Sequence, residues 1–259
     1  MLKSPLKRRY LREISHHRKV GDHHNIGLLT ESDIRHLPVL IQAYLRKCGV
    51  MGEPKVRNFK IELAGQLRKK SDGVWMPFHS EQYNFMATTT RLFYMNAVMK
   101  HLPVAGYHYF RNGVAYMDIR LISLFKVQYA AGDEMNKAET VTFFNDMCCL
   151  APATLIDARI TWTVVSDACV KAAFTNRGIT ISAHLHFNER HELINFVSDD
   201  HCAINDAGSF QPSRWSTPFG QYDDRLGFHL PRQAETMYEY DDGPFTYGIF
   251  EVVNVMYNV

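Results

Sequence analysis

No Gly-x-Ser-x-Gly elbow, P-loop, dinucleotide-binding glycine pattern or His-Glu-x-x-His helix occurs in the 259 residues. The usual signatures of serine hydrolases, nucleotide hydrolases, Rossmann enzymes and zinc peptidases are therefore missing, and nothing in the chain calls for a cofactor. Cysteine is scarce: Cys48, Cys148, Cys149, Cys169 and Cys202 show neither a CxxC pair nor zinc-ribbon spacing. An odd count without a disulfide framework is what reduced thiols in a cytoplasmic protein look like. No uncharged run reaches the length of a membrane span, and no apolar signal core follows the basic N-terminus, so the chain is expected to be neither exported nor anchored. Fixed-period repeats and linkers rich in Gly, Ser or Pro are also missing. The expectation is a basic arm over residues 1–29 and one β-rich domain over residues 30–259.

What is present builds a core. Hydrophobic residues make up 46% of the chain and charged residues 22%, the balance of an ordinary globular protein. The clearest pattern runs from Arg159 to Ala203, which reads as four short antiparallel strands. There Ile179, Ile181, Ala183, Leu185 and Phe187 form an apolar row opposite Thr180, Ser182, His184 and His186. Asn112-Gly113 is the strongest hairpin signal, because both residues tolerate positive φ and both flanks are strand-like. Earlier strands are expected from Val56 to Leu67, Trp75 to Met86 and Arg91 to Met99, the second with Ser80, Gln82 and Asn84 on one side. Asn205 to Asp224 reads as a loop, since Gly208, Pro212, Pro218 and Gly220 interrupt it, and its aromatics suit a docked segment or lid.

Helices punctuate the strands. Thr30 and Asp33 make a capping-box-like pair, Pro38 suits the first position of the next helical segment, and Gly49 suits its exit. Gly132 to Pro152 reads as a helix with Asn136 and Glu139 as its capping pair and apolar residues all round, which predicts a buried plug or cover for the sheet. Leu2, Leu6, Tyr10 and Ile14 recur at four-residue spacing in the arm, among Lys3, Lys7, Arg8, Arg9, Arg12, Arg18 and Lys19 against Glu13 and Asp22. Residues 1–24 therefore read either as a cationic amphipathic helix for an anionic membrane surface or as a solvated, frayed arm. A nucleic-acid partner is not expected.

Several landmarks together resemble a large bacterial family of uncharacterised proteins. They include Gly52-Glu53-Pro54-Lys55-Val56, Gly73-Val74-Trp75-Met76-Pro77-Phe78, Leu150-Ala151-Pro152-Ala153, Phe219-Gly220-Gln221-Tyr222 and Phe245-Thr246-Tyr247-Gly248. The resemblance covers residue 34 or so to the C-terminus and implies no catalytic residues. The order sheet, helix, sheet is also similar to LolA-type lipoprotein carriers, and the implied fold is α+β: a curled, mainly antiparallel sheet or incomplete barrel with a central helix and an N-terminal helix covering it.

Such a half-barrel implies a concave face for an apolar or lipid-like small molecule. Aromatics (12%) and 11 methionines suit that role as well as they suit plain core packing. The expected lining is Gln82, Tyr94, Tyr116, Glu139, Phe143, Trp162 and Trp215. A metal-dependent or metal-free hydrolase or isomerase using polar residues of the same cavity is the alternative, with His184 and His186 as weak metal candidates and Glu189, His191 or His201 nearby in sequence for a third ligand. A third reading is a peripheral membrane or interaction module docked by the basic arm.

Overall fold

The structure, a computed structural model, describes residues 4–20, 26–205, 208–224 and 227–259. On sequence grounds the pairs His16-His17 and His23-His24 could trap a metal adventitiously; His23 and His24 lie outside the described residues.

Helices α1 (Pro5–Val20), α2 (Glu31–Ile34) and α3 (Val39–Lys47) precede six strands: β1 (Asn58–Leu67), β2 (Met76–Phe85), β3 (Thr90–Met99), β4 (Leu102–Arg111), β5 (Val114–Leu121) and β6 (Phe125–Ala131). Helix α4 (Asp133–Leu150) and a short 3-10 turn (Pro152–Ile156) follow. Nine strands complete the chain: β7 (Ile160–Ser166), β8 (Cys169–Asn176), β9 (Ile179–Phe187), β10 (Leu193–Ser198), β11 (Cys202–Ile204), β12 (Phe210–Pro212), β13 (Arg214–Asp223), β14 (Leu230–Tyr240) and β15 (Gly243–Tyr257). Thirteen of them form one antiparallel sheet in the order β6-β5-β4-β3-β2-β1-β15-β14-β13-β10-β9-β8-β7, and β11 pairs with β12 apart from it.

The sheet stays open between β6 and β7 but curls far enough for its halves to meet. Arg159, just before β7, donates to the Thr89 hydroxyl between β2 and β3, and the turn at Gly113 approaches the Arg177 side chain of the β8–β9 turn. A right-handed strand twist accumulated over so many strands produces this curl. Helix α4 runs through the concave side and is buried on almost every face, as expected of a helix with no polar stripe. Helix α3 closes one end, where the Tyr44 hydroxyl donates to the Cys148 carbonyl at 2.7 Å. The α+β half-barrel with a central helix is therefore the fold.

Three local expectations need correction. Helix α4 starts at Asp133, so Asn136 and Glu139 do not cap it: Asn136 accepts the Ala115 N–H at 2.7 Å, and Glu139 points into the core. The expected loop at residues 205–224 contains β13, with Phe219 and Trp215 buried in the sheet. Pro218 is tolerated because the β13–β14 ladder skips from Ser216 to Phe219. Finally, α1 is neither frayed nor solvated. Leu6, Tyr10 and Ile14 pack on the sheet face opposite α4, against Phe85, Leu92, Tyr94, Tyr107 and Tyr116, and His17 stacks on Phe85.

Candidate functional site

The concave face carries a buried ionic network rather than an open lipid cavity. Arg91 of β3 reaches across to α4, donating from its Nη1 to Glu139 at 3.0 Å and from its Nε to Asp146 at 2.9 Å, while its Nη2 donates to the Gln82 amide oxygen at 2.9 Å. Gln82 and Asn84 donate to the same Asp146 oxygen at 2.7 and 3.1 Å, and the His108 Nδ1 donates to Glu139 at 2.9 Å. The Arg91, Glu139 and Asp146 side chains are all less than a tenth exposed. Burial works against the Glu139 anion, yet Arg91 and the His108 hydrogen bond hold its carboxyl down at about 2. Two carboxylates share one guanidinium: the Arg91, Gln82 and Asn84 donors to Asp146 converge on a single oxygen, and burial raises the Asp146 carboxyl in spite of them.

Beyond it, His201 stacks on Trp215 at 4.7 Å, and Trp215 donates to the Tyr247 hydroxyl at 2.9 Å. Burial lowers the His201 imidazole to about 4, against the pull of the Glu139 charge. Thr217 donates to the Asn145 amide oxygen at 2.7 Å.

The seven expected lining residues do not share one site. Gln82 and Glu139 belong to the ionic network, Trp215 lies beside His201, and Phe143 is fully buried between Phe110 and Phe174. Trp162 is half-buried on the edge strand β7. Tyr94 and Tyr116 lie on the opposite face beneath α1. His184 and His186 stand side by side on β9 with ring centroids 6.4 Å apart, and among the described residues no group of three His, Cys, Asp or Glu side chains is placed to hold a metal ion. Sequence reading missed Arg91 and Asp146, and reached His201 only as a possible third ligand for His184 and His186, not as the partner of Trp215. The available signal was the row Ser80, Gln82 and Asn84, uncharged polar residues alternating within a strand that is otherwise apolar on that face.

Open space occurs elsewhere. A cavity of about 360 Å³ lies where β1 begins and β15 ends. It is walled by Val50, Pro54 and Val56 after α3, Ala151 to Ala153 after α4, Phe228 before β14, and Val255 and Tyr257 of β15. Its two polar residues differ in role. Asn258 is engaged, accepting the Arg57 N–H and donating to the Lys55 carbonyl, whereas Glu53 is exposed at the rim. A second space, of about 210 Å³, lies beside α1 and has a mixed lining, with Lys7, Glu81 and Asn96 next to Leu63, Tyr94 and Val253.

Fold and site together define an unclosed antiparallel half-barrel wound around a buried helix, with an apolar cavity at one end. The chain belongs to a family of unknown function, DUF6544, whose model matches residues 27–250. No curated protein matches it. Among solved structures it resembles a domain named for outer membrane lipoprotein sorting from Vibrio parahaemolyticus, with 8% identity, coverage of 85% of this chain and 91% of that one, and a TM-score of 0.47. It also resembles a LolA superfamily protein from Nitrosomonas europaea (8%, 86% and 95%, TM-score 0.43) and a DUF1329 family protein from Desulfovibrio piger (10%, 85% and 92%, TM-score 0.45). The family membership agrees with the family resemblance read from the sequence. No helix among the described residues is long and apolar enough to cross a membrane.

Proposed function

We propose that the protein is a non-catalytic binding protein for a small apolar molecule, seated in the end cavity rather than along the concave face. The observation that carries this reading is the cavity itself: about 360 Å³, within the range of small-molecule sites, and walled by apolar side chains from four separate stretches of chain. The concave face is occupied, because α4 and the Arg91 network fill it. Glu53 at the rim favours an apolar body with a hydrogen-bond-donating or cationic head. All five cysteines are unpaired thiols, which supports a reducing, cytoplasmic setting.

Native mass spectrometry of the purified protein, followed by organic extraction, tests the reading. A reproducible bound mass, lost on Val56→Trp, is the expected result, because the indole occupies the cavity from a half-buried position. A bound mass that survives Val56→Trp refutes this seat, and a bare protein that takes up no apolar fluorescent probe refutes the function.

A further inference from the structure

We propose that the tips of three neighbouring hairpins form a docking surface for an anionic phospholipid bilayer. The hairpins β1–β2, β3–β4 and β5–β6 are consecutive in the sheet, so their turns emerge at one end. The Ile122 N–H donates to the Pro103 carbonyl at 2.8 Å and ties the third tip to the second. Val98, Leu102, Ile122, Leu124 and Phe125 stand out at this end, each between 42% and 67% exposed.

The backbone shows that these side chains are kept at a cost. Lys100 and His101 fill a two-residue turn with φ of 48° and 68°, and Ile122 and Ser123 follow with φ of 52° and 61°. Any residue with a Cβ is disfavoured there, and a β-branched isoleucine most of all. Turns elsewhere in the same sheet use Asn112-Gly113 and Arg177-Gly178, with glycine at the second position. Non-glycine residues at positive φ also occur singly elsewhere, for instance at Thr89 and His191, but two in succession without a glycine occur, among the described residues, at these two neighbouring tips.

Charge selects the occupant. Lys100, His101 and Lys126 flank the apolar tips, and the β1–β2 turn beside them carries Lys69 and Lys70 against Asp72. Asp118 is paired with Arg120 at 2.8 Å. Asp241 and Asp242, on the turn beyond, mark the limit of the patch. Projecting apolar tips ringed by lysine fit lipid headgroups above an acyl layer, whereas lysine is depleted in the cores of protein interfaces. Helix α1 is the weaker candidate, because its apolar stripe already packs on the sheet and its exposed residues, Arg8, Arg9, Arg12, His16 and Arg18 among them, include no large apolar side chain among those described. The surface is also independent of the proposed cavity, which lies at the opposite ends of β1 and β15.

Co-sedimentation with phosphatidylcholine vesicles containing about one-third phosphatidylglycerol tests the proposal. Binding is expected, weaker on pure phosphatidylcholine and at high salt. The double variant Leu124→Ser, Phe125→Ser should bind roughly tenfold or more weakly while keeping its circular dichroism and melting curve. Phe125→Trp should add emission that shifts to the blue on these vesicles, a direct report of insertion. The proposal is overturned if the wild type does not bind, if the double variant binds as well as the wild type, or if the Trp emission stays put. Loss of binding only in Arg8→Gln, Arg9→Gln, Arg12→Gln would move the contact to α1, and a non-binding dimer split by the double variant would make the tips a self-interface.

Discussion

Replacing Arg91 with methionine is the sharpest test of how the concave face is held together. The substitution keeps an apolar stem of similar length but deletes three donated hydrogen bonds, leaving Glu139 and Asp146 buried without a counter-ion. Breaking a buried ion pair by removing one partner costs about 3–5 kcal/mol. The loss should carry a pH signature whose sign follows from linkage. In the wild type the Glu139 carboxyl is held at about 2, below its unfolded value, so its contribution is complete above the unfolded pKa and fades only as pH falls toward 2. Burial already raises the Asp146 carboxyl in the wild type; without Arg91 it raises Asp146 further and brings Glu139 above its unfolded value as well. The folded variant then binds more protons than the unfolded chain, so it loses stability as pH rises and recovers some as pH falls. Urea unfolding of both proteins at pH 8 and pH 5 measures the difference. A gap of several kcal/mol at pH 8 that narrows by at least about 1 kcal/mol at pH 5 is expected. A small gap that does not change with pH would show that the network is solvated and would refute its role in the core.

Acid should destabilise the wild type earlier than its carboxylates would suggest. Burial holds the imidazoles of His201 and His17 at about 4, with Arg111 adding to the effect at His17. Between the ordinary histidine value and pH 4 the unfolded chain binds the extra protons, so stability rises with pH through that window and is complete above it. Each ring should cost about 2 kcal/mol by pH 5, somewhat less where solvent reaches the half-buried His201. His201→Phe, which keeps the stack on Trp215, should remove about half of the wild-type drop in urea midpoint; an unaltered pH profile would contradict the assignment. Gly65→Ala would drive its Cβ into the Ile249 carbonyl across the β1–β15 ladder, a backbone atom that cannot rotate away. A loss of about 1–3 kcal/mol is expected in thermal or urea unfolding, and an unchanged midpoint would place the two strands further apart than the structure does.

Much of the fold was legible because it is local. Alternation fixed the inner row of β9, Asn112-Gly113 marked a turn, and Pro38, Gly49 and Pro152 bracketed helices, since each of these signals acts over a few residues. Where reading failed, a longer-range contact had overruled the local signal. Pro218 looked like a breaker until the interrupted ladder gave it a place, and the arm looked solvated until a patch of aromatic side chains under it became visible.

The sequence by itself determined most of the strands, β13 excepted, and which residues alternate along them, because the pleat is a property of one chain segment. Only the tertiary structure decided which face is concave and what it meets. Gln82 stands opposite Phe93 and Glu81 opposite Tyr94, so register sends Gln82 toward α4 and Tyr94 toward α1. Arg91 found its two carboxylates 48 and 55 residues away. No pattern within a strand encodes such a meeting, since it depends on how far the whole sheet curls around the helix it encloses.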